Sequence, residues 1–359
     1  MKQNNRYIRQ TILKGFGPGS QEKLKKSSVL VVGAGGLGIP VLQYLNAMGV
    51  GAIGIVDGDK VSLSNLHRQV LYTESDIGES KVQVLAERLH RQNSSTVIHT
   101  YETYLSTENA LELIAPFDLV IDATDNFPTR YLINDACVIL DKPFIYGALH
   151  GYEGQVSVFN YNDGPTYRCL FPDMPSAGQI PDCNTNGVLG ILPGIVGNLQ
   201  ALEAVKVISG VGEVLSGKLL IFDSLTHQYR KITFPVVPEN LVIKKLQGNY
   251  GVNYCTNQNI SSDEFDSIVK GNLQLIDVRT PEEFESFHFE PAKNIPVMEL
   301  DERRGEIDIT KSVCFVCQSG IRSQKAIDIF NANPAVEVFH LEGGINAYLE
   351  WQSKFAKVK

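Results

Sequence analysis

Apolar residues in this chain gather into short unbroken runs separated by longer amphipathic stretches, beginning at Val29–Val32 and repeating at Ile53–Val56 and Leu119–Ile121. Runs without polar alternation suit strands buried on both faces of a parallel sheet. Between them, Gly78–Gln92 has apolar residues at helical spacing, with Val82, Leu85 and Leu89 on one stripe and Lys81 in the first turn. A strand near Val97–Tyr104 and a helix near Thr107–Ala115 follow. Next come the strand DLVIDATD ending at Asp125, a helix over Asn126–Leu140 and a strand at Phe144–Ala148. This alternation predicts an α/β fold: a Rossmann-like, mostly parallel sheet with helices on both faces.

From Tyr152 the pattern turns to period two (Val156, Val158), and Leu219–Phe234 reads as two further strands. The pattern then fades. Residues 1–240 are expected to form one domain, 241–259 a linker and 260–359 a second, small α/β domain. In that last part, strands at Leu273–Val278, Val313–Val316 and Val336–His340 alternate with helices at Glu282–Ser286 and Ser323–Phe330.

The first strand runs straight into Gly33, Gly35, Gly36 and Gly38, and the second ends in Asp57. Glycines let backbone approach a phosphate, the following helix N-terminus favours negative charge, and the acid can bond a ribose hydroxyl. This is a nucleotide site, open at this point to NAD, FAD or ATP.

Composition narrows the partners. A net charge of -8 over 359 residues argues against a nucleic-acid surface. Six scattered cysteines and a start, MKQNNRYIRQ, without an apolar core point to a reducing, cytoplasmic setting. The most apolar stretch, Gly187–Gly210, contains Pro193, Asn198, Glu203 and Lys206, which suits a buried helix better than a membrane span.

The predicted carboxyl ends of the strands also gather Arg68, Lys81 and Asp125 with Asp57, and Arg9 is a further candidate. Hydride transfer needs no such collection. A triphosphate does: cations neutralise it while a carboxylate holds magnesium. Each residue also has an ordinary reading: Arg68 or Lys81 as a solvated charge, Asp125 as a helix cap, His67 as a structural loop residue.

Together RYIRQ (Arg6–Gln10), GAGGLG (Gly33–Gly38), DGDKVSLSNLHRQ (Asp57–Gln69), GESK (Gly78–Lys81) and DATDN (Asp122–Asn126) resemble the MoeB/ThiF family over roughly residues 5–235. These bacterial relatives of ubiquitin-activating enzymes adenylate the C-terminal glycine of a small sulfur carrier. The resemblance implies that Gly33, Gly35, Gly36 and Gly38 lie under ATP and that Asp57 binds its ribose. It puts phosphates on Asn65, Arg68 and Lys81 and magnesium on Asp125, with Asp59 and Asn126 completing the nucleotide site. Arg9 then reaches the triphosphate of a neighbouring subunit, which makes a homodimer part of the mechanism.

One departure concerns metal. Many members bind structural zinc through two Cys-x-x-Cys pairs, but here the first pair is Thr166 and Cys169, and after Phe234 only Cys255 occurs before the second domain. Tetrahedral zinc needs four ligands, so no zinc site is expected. Cys183 stands where members can carry a cysteine beside the adenylate; attack on an acyl intermediate and simple packing are both open.

In the second domain CQSGIRS, Cys317–Ser323, leaves a strand and enters a helix. Successive loop N–H groups, the helix N-terminus and Arg322 would stabilise an anionic sulfur, making Cys317 a nucleophile. Four residues (Gln318, Ser319, Gly320, Ile321) separate Cys317 from Arg322, one fewer than a tyrosine-phosphatase loop and suited to a persulfide. With LIDVRTPEEFESFHFEPAKNIP and HLEGGINAY, the domain resembles a rhodanese over roughly residues 260–355, and Asp277 and Arg279 are expected to brace the loop. Cys314 forms a CFVC pair with Cys317, but its place on the strand speaks against zinc or thioredoxin chemistry.

The two resemblances jointly imply an enzyme that uses ATP and magnesium to adenylate a ubiquitin-like carrier ending in Gly-Gly. It would take sulfur from an upstream donor onto Cys317 and form a carrier thiocarboxylate. Molybdopterin biosynthesis is the expected setting, with thiamine biosynthesis and tRNA thiolation as alternatives. An NAD-dependent oxidoreductase fused to a sulfurtransferase, and a non-catalytic carrier scaffold, are rival classes.

Overall fold

Five parallel strands form the heart of the first unit: β1 (Ser28–Val32), β2 (Ala52–Val56), β3 (Val97–Tyr101), β4 (Leu119–Asp122) and β5 (Phe144–His150). The structure, a computed structural model, describes residues 6–174, 187–248, 250, 258–268, 273–330 and 338–355. It divides into two units, Met1–Val252 and Asn253–Lys359. Three antiparallel strands, β6 (Glu153–Phe159), β7 (Lys218–Asp223) and β8 (Gln228–Thr233), extend the first sheet to the order β3-β2-β1-β4-β5-β6-β7-β8.

Successive residues of β1 face opposite sides. Val29 and Val31 join one core and Leu30 and Val32 the other, so both faces must be covered. Before β1 lie α1 (Ile8–Thr11) and α2 (Gly17–Lys26). The first core takes Leu42 from α3 (Gly38–Met48), Leu85 from α4 (Lys81–Gln92) and Val196 further along the chain. The second takes Ile114 from α5 (Ala110–Ile114) and Leu132 from α6 (Phe127–Ile139). Each such side chain contributes about 1.5–3 kcal/mol when fully buried. Val196 belongs to α8 (Leu192–Ser209), which follows the short α7 (Tyr167–Leu170). No helix among the described residues is long and apolar enough to cross a membrane.

Several expected boundaries move, each for a local reason. β4 stops at Asp122, not Asp125, because Asp122 Oδ1 accepts the Thr124 N–H (3.0 Å) and hydroxyl (2.6 Å) and turns the chain outward. α6 begins at Phe127 with Asn126 as its cap, the Asn126 side chain accepting the Thr129 N–H at 2.9 Å. α4 begins at Lys81, since Gly78 has φ +90° and donates to the Val61 carbonyl. The expected linker starts late: Tyr250 is buried, and its hydroxyl donates to Asp135 Oδ2 (2.7 Å), the carboxylate that also pairs with Arg168. The chain up to Tyr250 therefore packs on the first unit.

In the second unit β9 (Gln258–Ile260), β10 (Gln274–Asp277), β11 (Lys293–Asn294), β12 (Val313–Val316) and β13 (Val338–Leu341) form an all-parallel sheet in the order β11-β10-β12-β13-β9. Its helices are α9 (Ser262–Ile268), α10 (Pro281–Ser286), α11 (Ile321–Phe330) and α12 (Gly344–Phe355). Central β12 is buried at every residue, so it projects its C-terminal loop from a fixed base.

Candidate functional site

The order β3-β2-β1-β4-β5 reverses direction between β1 and β4, where α/β sheets place their ligands. The glycine turn leaves β1 there. A Cβ on Gly38 would lie 1.9 Å from the Gly33 carbonyl oxygen, and one on Gly33, at φ +105°, 2.6 Å from the Ala123 carbonyl oxygen. Only hydrogen fits, which lets the turn, the N-terminus of α3 and the segment after β4 meet closely.

Asp57, at the end of β2, is tied into this turn: Oδ2 accepts the Ala34 N–H (2.7 Å) and Oδ1 the Asp59 N–H (2.8 Å). Burial raises its pKa above the usual carboxylate range; the Lys81 charge offsets part of that, and Asp59 adds to it. Lys81 is almost fully enclosed and pairs with Asp59 Oδ2 at 2.6 Å. Burial works against the Asp59 anion as well. Even so, the Lys81 charge and hydrogen bonds from Lys81 and Tyr104 outweigh it and hold this carboxyl low.

Tyr72 joins the pieces, its hydroxyl lying 2.9 Å from the Ala34 carbonyl and 3.3 Å from that of Lys81. The stem of Arg68 passes beside Gly36, and its guanidinium donates to the Ser64 carbonyl (3.0 Å) and meets His67 Nε2 (2.8 Å). Asn65 lies in a short 3-10 turn whose carbonyl accepts the Arg68 and Gln69 N–H groups. Gln69 Oε1 is buried beside Gly35 without a hydrogen-bond partner among the described residues.

Beyond β4, Asp125 is exposed. Behind it Asp122 and Arg130 are buried as a pair, 3.8 Å apart, and Arg130 donates to the Thr124 carbonyl (3.1 Å). Burial raises the Asp122 pKa, against the pull of Arg130.

The structure ties the turn of Gly33, Gly35, Gly36 and Gly38 to Asp57 through the Ala34 N–H, to Arg68 through its stem beside Gly36, and to Lys81, the partner of Asp59, through Tyr72. Asn65 joins through its carbonyl on the Arg68 N–H, and Asp125 follows Ala123, whose carbonyl faces Gly33. Asn126 differs, because its side-chain oxygen is engaged as the α6 cap. Arg9 is exposed on α1, beside Gln10, which donates to the Met48 carbonyl at the far end of α3. That is an 11-residue helix, about 16 Å, from its own glycine turn. Cys183 lies outside the described residues. Cys169 accepts the Thr166 (3.4 Å) and Val237 (3.3 Å) N–H groups, so hydrogen bonds serve this thiol. Gln69 lies within the NLHRQ motif, whereas no motif marks Tyr72, Tyr104 or Arg130 as neighbours of this site.

In the second unit Cys317 is buried at the end of β12, and its sulfur accepts the Ser323 N–H at 3.3 Å. Gly320, at φ +87°, turns the loop, while Gln318 is half-buried and Ser319 and Ile321 face outward. Gly344 seals the loop from behind: a Cβ there would lie 2.4 Å from the Cys317 carbonyl oxygen. Asp277 and Arg279 pair in the interior, and Arg279 Nη1 donates to Gln318 Oε1 at 3.0 Å, so this pair braces the loop. The Arg322 guanidinium is held bidentately by Glu283, both bonds 2.6 Å, and these bonds hold the Glu283 pKa down at about 2. Burial raises the pKa of Cys314, an inert strand thiol.

A Rossmann-like unit with a charged nucleotide crevice, joined to a unit with a cysteine cradle, defines a two-part group-transfer enzyme. The ThiF family matches residues 7–240 and the rhodanese-like domain residues 261–350. The chain belongs to the ThiF family and carries a C-terminal rhodanese domain. It is 53% identical over 234 residues to a sulfur carrier protein adenylyltransferase of Thermus thermophilus, covering 64% of this chain and 86% of that protein. It is 36% identical to adenylyltransferase and sulfurtransferase MOCS3-1 of Zea mays, covering 96% of this chain and 81% of the relative. The crystal structure of E. coli MccB with ATP shares the fold of the first unit: TM-score 0.59, 22% identity, 68% of this chain and 75% of that one. The protein is an enzyme with adenylyltransferase and sulfurtransferase activities.

Proposed function

We propose that the first unit adenylates the C-terminal glycine of a ubiquitin-like sulfur carrier with ATP, and that Cys317 of the second unit delivers sulfur to the activated carboxyl. The observation that supports the reading is that Arg68 passes beside Gly36 and Tyr72 joins Lys81 to Ala34 of the same turn, two cations that suit a triphosphate. Asp125, exposed at the mouth, would hold magnesium, which supplies charge neutralisation on the phosphates. Lys81 exchanges Asp59 for phosphate oxygen, Arg68 gives up the Ser64 carbonyl in the same way, and Asp57 takes the ribose. The carrier carboxylate attacks the α-phosphorus, pyrophosphate leaves and an acyl-adenylate remains. Positioning and charge do most of this work. In a homodimer Arg9 of the partner copy completes the phosphate site, since Arg9 stands a helix length from its own.

Cys317 accepts sulfur from an upstream donor as a persulfide. Its terminal sulfur attacks the acyl-adenylate and expels AMP. A second thiol, Cys183 or an external reductant, then cleaves the acyl disulfide to the thiocarboxylate. Molybdopterin biosynthesis is the proposed setting; incubation with ATP, magnesium and candidate Gly-Gly carriers separates it from thiamine biosynthesis and tRNA thiolation by which carrier is consumed.

Cys317→Ala tests the division of labour. Carrier-dependent ATP–pyrophosphate exchange should persist while thiocarboxylate, read by mass spectrometry, disappears. Loss of both in a folded protein overturns the reading.

A further inference from the structure

Behind the cysteine loop three side chains stand in file. Ser323 Oγ lies 3.4 Å from Cys317 Sγ, 3.4 Å from His340 Nδ1 and 3.0 Å from the Gly320 carbonyl oxygen. Cys317 and Ser323 are fully buried and His340 nearly so, on neighbouring β12, α11 and β13. The Ser323 hydroxyl has one hydrogen and three claimants.

We propose that Ser323 is a catalytic residue that holds the Cys317 sulfur as an anion, and that His340 is the positioning residue that aims its hydroxyl. The assignment rests on the reading of Cys317 as the sulfur-carrying nucleophile.

An anionic sulfur can only accept hydrogen bonds. The Ser323 O–H must then turn from the Gly320 carbonyl to the sulfur, joining the Ser323 N–H already there. Once its hydrogen is committed, Ser323 Oγ is free to accept, and the hydrogen between it and His340 belongs on Nδ1. The file reads His340 Nδ1–H to Ser323 Oγ, and Ser323 O–H to sulfur. Ionisation breaks only the S–H bond and sends its proton to solvent, so no oxidant or further base is required. Burial lowers the His340 pKa, which keeps the ring neutral near pH 7 and makes it a donor without a charge of its own.

Other charged groups around the sulfur are already committed: Arg322 to Glu283 of α10, and Asp277 at the end of β10 to Arg279. Arg322 still feels the sulfur electrostatically. With its guanidinium tied elsewhere, the short-range stabilisation of the anion falls to Ser323 and the loop backbone.

The test is the pH dependence of iodoacetamide alkylation at Cys317 in the full-length chain, read by peptide mass spectrometry. A hydrogen bond to a charged group predicts that Ser323→Ala raises the apparent pKa by about one unit, slowing alkylation about tenfold below it. His340→Leu should raise it by about half as much. His340→Asn, with a donor near the Nδ1 position, should restore the wild-type profile. Circular dichroism and thermal melting confirm folding, and ATP–pyrophosphate exchange reports on the first unit. A Ser323→Ala profile matching wild type overturns the assignment. A shift with Ser323→Ala and none with His340→Leu overturns the part given to His340. A wild-type Cys317 that never reacts overturns the nucleophile reading itself and this assignment with it.

Discussion

In the first unit, the candidate groups come from segments spread between Gly33 and Asp125, and the glycine turn, Asp57 and the segment after β4 come together once β1, β2 and β4 are paired. In the second, Cys317–Arg322 are consecutive residues that run from the end of β12 into the first turn of α11. The first arrangement would suit a large, highly charged ligand: Lys81 rests on Asp59 and Arg68 on the Ser64 carbonyl, partners that the proposed function has them exchange for phosphate. The second suits one small atom, fixed by backbone and by side chains already occupied. A crevice of exchangeable charge depends on the whole sheet, whereas a cradle depends on its immediate neighbours.

The largest expected effect that sharpens this contrast is Lys81→Ala. Removing a cation from the phosphate site should slow ATP–pyrophosphate exchange about a hundred- to a thousand-fold, or about 3–4 kcal/mol of barrier. Alkylation at Cys317 should keep its rate; a parallel slowing would break the comparison. Next comes Gly344→Ala, which drives a methyl toward the Cys317 carbonyl at a residue with φ +65°. A cost of about 2–3 kcal/mol, confined to the second unit by hydrogen exchange, is expected with thiocarboxylate formation lost and pyrophosphate exchange kept.

Tyr250→Phe should cost the first unit about 1–2 kcal/mol in urea unfolding, because buried Asp135 loses a donor. Smallest is Glu283→Gln. With screening at a partly exposed pair it should cost under about 1 kcal/mol. The Glu283 pKa is depressed in the folded state, so its contribution is full above its ordinary 4.5 and fades as pH falls toward about 2. Denaturation curves of variant and wild type should converge on acidification.

Much of this organisation was legible because it is local in sequence. Apolar runs marked the strands of the first sheet and β10, β12 and β13 of the second, whereas short β9 and β11, with few apolar residues, carried no such run. The glycine turn, Asp57, Lys81 and the Cys317 loop each announce themselves within a few residues. What escaped depends on distance along the chain. Glu283 and Arg322 are 39 positions apart, and Ser323 and His340 are 17 apart. No spacing rule connects them, so the carboxylate that holds Arg322 is invisible in the sequence. Asn126 illustrates a second limit: an asparagine at the mouth of a nucleotide crevice is also a good helix cap, and only coordinates show which use its oxygen has. Arg130 was hidden for a third reason, since a buried arginine between Phe127 and Tyr146 looks like any helical cation in sequence.

The Tyr72 hydroxyl lies within reach of the backbone carbonyls of Ala34 and Lys81, so the glycine turn and the start of α4 are bolted together as one piece. On the proposed reading a nucleotide would meet a jaw already set, and whatever hinging the reaction needs would come from elsewhere.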